Sequence, residues 1–90
     1  MEQTMKLKFY ADAGHGWLAV KRSLLEELGI AGKITSYSYQ RGKTVYLEED
    51  CDCSTFVAAM KQAGKVWTEI PRYSNRSPIR SYDSYRYLGG

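Results

Sequence analysis

Apolar and polar residues alternate from Met5 to Tyr10, with Met5, Leu7 and Phe9 set against Lys6, Lys8 and Tyr10. A period of two with a charged opposite face predicts a half-buried strand. The loop Ala11–Gly16 carries two glycines at its tip, and Trp17–Val20 reads as a second strand, so the two runs form a hairpin. Lys21–Leu28 reads as a helix with Leu24, Leu25 and Leu28 on one face and Gly29 as its stop. Lys33–Gln40 again alternates, Ile34, Ser36 and Ser38 against Thr35, Tyr37 and Tyr39, and predicts a strand. A turn at Arg41-Gly42-Lys43 returns the chain into Thr44–Glu48. Asp52 or Ser54 is placed to cap a second helix, Thr55–Ala63, with Phe56, Val57, Met60 and Ala63 as its apolar stripe. Lys65–Ile70 alternates once more and reads as a last strand, ended by Pro71.

The order β-β-α-β-β-α-β predicts an α+β fold: an antiparallel or mixed sheet with two helices on one face. Residues 1–70 form that domain, and 71–90, which lack any period, form a C-terminal tail that is extended or docked. With 90 residues there is room for one small core and none for a dinucleotide fold or a barrel. No apolar run approaches the ~20 residues of a membrane helix, and no charged-then-apolar leader opens the chain. The expectation is a protein with no membrane association, in the cytoplasm.

Charge divides the chain unevenly. Residues 1–64 balance eight Lys/Arg against eight Asp/Glu, so the whole net charge of +3 lies in residues 65–90. From Pro71 onward the bases are all arginine and interleave with tyrosine: Arg72, Tyr73, Arg76, Arg80, Tyr82, Tyr85, Arg86 and Tyr87. Guanidinium groups grip phosphate or carboxylate and tyrosine supplies contact area, which marks the tail as a docking element. Its occupant is this chain's own sheet, a second copy in a homodimer, a host protein or nucleic acid. The opposite feature is the acidic run Glu48, Glu49, Asp50 and Asp52 around Cys51. Such a run reads either as a solvated loop or as a phosphate mimic.

Chemistry-bearing residues are sparse. Cys51 and Cys53 sit too close in sequence for an unstrained disulfide, and with His15 as the one histidine a four-ligand zinc site is not expected. His15 between two glycines could pair with Asp12 and with Cys51 or Cys53 as a Cys–His enzyme, or it could simply pack with Trp17 over the hairpin. No further motif supports catalysis, and the expectation is no enzyme, no metal and no cofactor. Tyr37 and Tyr39, read on one strand face with Tyr46 on the partner strand, could stack bases, with Arg41 and Lys43 on phosphates.

Two stretches, Asp12–Val20 and Ser36–Gly42 followed by Val45–Asp52, resemble small phage, prophage and plasmid-borne proteins of unassigned activity, as does the Ser77–Tyr82 tail sequence. The resemblance implies a mobile-element origin and, by analogy with other compact phage-borne proteins, an inhibitor of host defence of the anti-CRISPR kind. In that reading the protein binds a host protein or ribonucleoprotein complex, with the Arg/Tyr tail as anchor and the acidic run imitating nucleic acid. The alternative is a nucleic-acid-binding accessory protein with the tail arginines on phosphates and the sheet tyrosines on bases. A small Cys–His enzyme is the third.

Overall fold

The strand expected at Met5 runs to Ala11 (β1) and turns into Gly16–Lys21 (β2), as seen in a computed structural model that describes residues 4–75 and 77–87. Helix α1 spans Arg22–Glu27, β3 Tyr39–Arg41, β4 Thr44–Glu48, α2 Asp52–Gln62, β5 Trp67–Tyr73 and β6 Asp83–Ser84. Short 3-10 turns occupy Ala31–Lys33 and Pro78–Ser81. The sheet is six-stranded and mixed, in the order β5-β1-β2-β4-β3-β6; β5 runs parallel to β1 and every other neighbour is antiparallel. The fold is α+β.

One sheet face carries Leu7, Leu18, Val20, Val45 and Leu47, all buried, and both helices cover it through Leu24, Leu25, Phe56 and Met60. Trp67 of β5 packs edge-on against Phe56 at 5.9 Å and closes that layer at the sheet margin. Gly29 and Gly64, at φ +72° and +69°, release the chain after each helix in the left-handed conformation that costs glycine least.

Three expectations fail, each for a local reason. The expected strand Lys33–Gln40 forms only at Tyr39–Gln40: its first residue ends a 3-10 turn, and Thr35 and Ser38 give their hydrogen bonds to the Asp52 side chain rather than to a neighbouring strand. Side-chain acceptors of this kind compete with sheet pairing and win where several donors converge. Regular pairing begins only at Tyr39, so Tyr37 and Tyr39 do not share a strand face. Helix α2 starts three residues early, at Asp52, and its N-cap Cys51 makes no side-chain cap bond, because the expected cap Asp52 is turned inward. Pro71 does not end β5. It pairs with Phe9, and an edge strand accommodates the missing N–H.

Candidate nucleic-acid interface

The sheet face opposite the helices is partly covered by the chain's own tail. Ser77 accepts the Ile79 N–H (3.3 Å) and starts the 3-10 turn that seats Ile79, 1% exposed, against Tyr10 and Tyr46. Tyr82 follows, its ring 5.2 Å from Tyr46, with the Arg41 guanidinium 5.0 Å above it. The chain then pairs with β3 and wraps round the sheet edge. Tyr85, 2% exposed, joins the helix-side core and donates its hydroxyl to the Ala31 carbonyl at 2.6 Å. Tyr87 stays half in solvent, its ring beside Gly32.

An ion pair pins this wrap at the β1–β2 loop. Asp12 accepts the backbone N–H groups of Gly14 and His15 and takes the Arg80 guanidinium on both oxygens, at 2.7 and 3.0 Å. The arginine beside it holds the Asp12 carboxyl well below the usual carboxylate range, against the opposing effect of burial. Arg80 also lies over the Trp17 indole and donates to His15 Nδ1 at 2.8 Å. Arginine can only donate, so in the neutral ring the hydrogen sits on His15 Nε2.

What the tail leaves open on this face is basic. Strand alternation sends Lys6 and Lys8 of β1, Lys21 of β2, Arg41 of β3 and Arg72 of β5 to the same side, opposite the buried Leu7, Val20 and Val45 rows. All five are exposed. Among the described strand residues, Glu48 is the carboxylate on this side, at the end near Trp17. Beside the basic stripe, where β1 and β5 meet the tail, a pocket of about 230 Å³ is lined by Tyr10, Tyr46, Tyr73 and Tyr82, with Arg72 and Ile79. Burial, then the neighbouring Tyr82 and Tyr10 hydroxyls, pushes the Tyr46 hydroxyl above its ordinary value, so this phenol stays neutral and acts as a donor or acceptor.

A second, more open cleft of about 360 Å³ lies at the far side of the Arg80 clasp. It gathers His15, Trp17, Tyr37, Tyr39, Glu48, Asp50 and Cys51, so the Cys–His pair expected from the sequence does share one cleft. Its bonding differs from that of a nucleophile and base. His15 Nδ1 is taken by Arg80, and Cys51 Sγ has Thr35 Oγ1 as its neighbour, at 3.8 Å. Cys53 is half-buried beneath the sheet, where burial pushes its thiol up to about 12. Among the described residues no three His, Cys, Asp or Glu side chains gather as a metal site would require.

The remaining expected residues divide clearly. Glu49 and Asp50 are exposed and Glu48 is half-exposed, but Asp52 is 1% exposed and serves as a structural acceptor rather than part of a solvated acidic run. In the tail, Arg80, Tyr82 and Tyr85 are engaged within the chain, while Arg72, Tyr73, Arg86 and Tyr87 remain exposed. Arg76 lies outside the described residues. Lys43 is exposed in the β3–β4 turn. Sequence reading missed the shared face of Lys6, Lys8, Lys21, Arg41 and Arg72. The alternation of β1 showed its lysines opposite the core, but only the strand order brings the four strands together. Among the described residues no helix is long and apolar enough to cross a membrane. Compared with known family models, curated proteins and solved structures, the chain matches none.

Proposed function

We propose that this protein binds nucleic acid, without catalysing a reaction, on the open part of the tail-covered sheet face. The observation that carries the reading is the convergence of Lys6, Lys8, Lys21, Arg41 and Arg72 from four strands onto one surface. A modest overall charge of +3 does not predict such a surface; the order of the strands in the sheet assembles it. Phosphates binding there release condensed counterions, which gives affinity without sequence preference. The test is fluorescence anisotropy with labelled oligonucleotides across a salt series. Each phosphate engaged on a single strand contributes about −0.7 to the log–log slope, so five contacts give about −3.5. Lys8→Glu with Arg72→Glu should abolish binding, while Lys61→Glu on the exposed side of α2 should leave it intact. Salt-independent binding, or equal loss in both variants, overturns the proposal.

A second reading is favoured by the acidic lip. Glu48 and Asp50 line a cleft whose rim includes Tyr37, 72% exposed. That surface suits a basic protein partner, such as the nucleic-acid channel of a bacterial defence complex, and accords with the mobile-element resemblance of the sequence. A pull-down from host lysate, with and without nuclease, separates the readings. Partners that survive nuclease and are lost in Glu48→Lys/Asp50→Lys support the inhibitor; partners lost to nuclease support nucleic-acid binding.

A further inference from the structure

We infer that the tyrosine pocket beside the basic face receives a single unstacked nucleobase, so that the ligand class is single-stranded nucleic acid rather than duplex. The inference rests on the nucleic-acid reading above and adds what that reading leaves open. Tyr10, Tyr46 and Tyr82 form a continuous run of rings, with centroids 5.9 and 5.2 Å apart. Ile79 is buried beneath them, and Tyr73, 69% exposed, stands at the rim. A cavity walled by aromatic rings and an aliphatic side chain, with phenol hydroxyls and no carboxylate in its lining, matches a flat π-system bearing hydrogen-bonding edges.

Arg72 belongs to both features. It lines the pocket and also lies on the basic stripe, and its Nη1 donates to its own Pro71 carbonyl at 3.0 Å. Guanidinium carries five N–H donors, so the others can meet a phosphate at the pocket mouth. Lys8, on the neighbouring strand and one pleat away from Tyr10, continues the track. A backbone that runs along Arg72, Lys8 and Lys6 therefore has one base within reach of the pocket. Bases of a duplex are paired and stacked and cannot enter without being extruded.

Three probes test this by anisotropy at one salt concentration: a labelled oligothymidylate, the same strand with abasic sites replacing its bases, and a duplex of equal length. The single strand should bind about tenfold more tightly than either of the others, the scale of one base–aromatic stack. Tyr73→Ala, at an exposed position that leaves the fold intact, should remove that tenfold advantage and leave the salt slope unchanged. Equal affinity for the three probes, or a Tyr73→Ala variant that keeps the single-strand advantage, overturns base capture while the basic-face reading stands. Absence of binding to every probe overturns both.

Discussion

Asp52 lies in an acidic stretch of sequence, yet its replacement should behave as a core lesion. Its oxygens accept the Thr35 N–H at 3.1 Å, the Thr35 hydroxyl at 2.8 Å and the Ser38 hydroxyl; Ser38 Oγ in turn accepts the Glu48 N–H at 3.0 Å. One carboxylate thereby ties the start of α2 to the 35–38 loop and to the end of β4. Asp52→Ala leaves three donors without their acceptor. Bonds to a charged group contribute roughly 1.5–3 kcal/mol each, and a stranded buried donor costs about 1–3 kcal/mol. Water can rescue the half-buried Thr35 but not Ser38, which is 0% exposed. A net loss of about 3 kcal/mol follows. For a domain of this size each kcal/mol moves Tm by about 4–8 °C, so the expected drop is about 12–24 °C. Thermal melts followed by circular dichroism measure it. Glu49→Gln, three positions earlier and exposed, should stay within about 0.5 kcal/mol of the parent. An Asp52→Ala melt within about 4 °C of the parent would refute the reasoning, because it would mean that the network contributes less than about 1 kcal/mol.

Other consequences can be measured in the same way. Ile79→Ala should cost about 2–5 kcal/mol and Tyr85→Phe about 0.5–1.5 kcal/mol in urea titrations; unchanged midpoints in both would show that the tail is not seated as described. Asp12 is held ionised by Arg80, so its contribution to stability is complete above the ordinary aspartate value of ~3.9 and fades as pH falls toward its depressed folded value. The gap in unfolding midpoint between the parent and Asp12→Asn should accordingly be wider at pH 7 than at pH 2.5, and an equal gap at both would contradict the ion-pair account. Iodoacetamide at pH 8 should label Cys51, which lines the open cleft, and spare Cys53, whose buried thiol is pushed up to about 12. Equal labelling of both in the native protein, read by peptide mass spectrometry, would refute that difference.

Periodicity made the central strands and both helices legible, because each has one face committed to the core. The burial of β4 alternates strictly, with Val45 and Leu47 inward, while in β2 Trp17 on the opposite face is buried as well as Leu18 and Val20. It misled at Lys33–Gln40, where an alternating pattern coincided with Thr35 and Ser38, two side-chain donors within reach of Asp52. A pattern reports which residues alternate; it does not report that a carboxylate 17 and 14 positions downstream of Thr35 and Ser38 will take their bonds. The basic face was hidden for a related reason. Lys6, Lys21, Arg41 and Arg72 are scattered along the chain and share one face only through the strand order, with β5 adding Arg72 at the edge beside β1. The tail was legible as a docking element from its tyrosines, whereas the residue that fills the sheet face most completely, Ile79, was overlooked among the arginines.

The Asp12–Arg80 pair joins positions 68 residues apart, and Tyr85 reaches back 54 residues to Ala31. During synthesis, β1, β2 and Trp17 emerge long before the segment that shelters them. At roughly 5–20 residues per second the nascent chain spends several seconds with that tryptophan face uncovered. Long-range closure also sets a slow pace for the final step. A ribosome that stalls before Ile79 therefore releases a chain with an open aromatic sheet and an unpaired Asp12, better suited to a chaperone or protease than to a ligand. Emergence of the Ile79–Tyr85 segment is thus the point at which the Trp17 face is covered and the Asp12 ion pair closes.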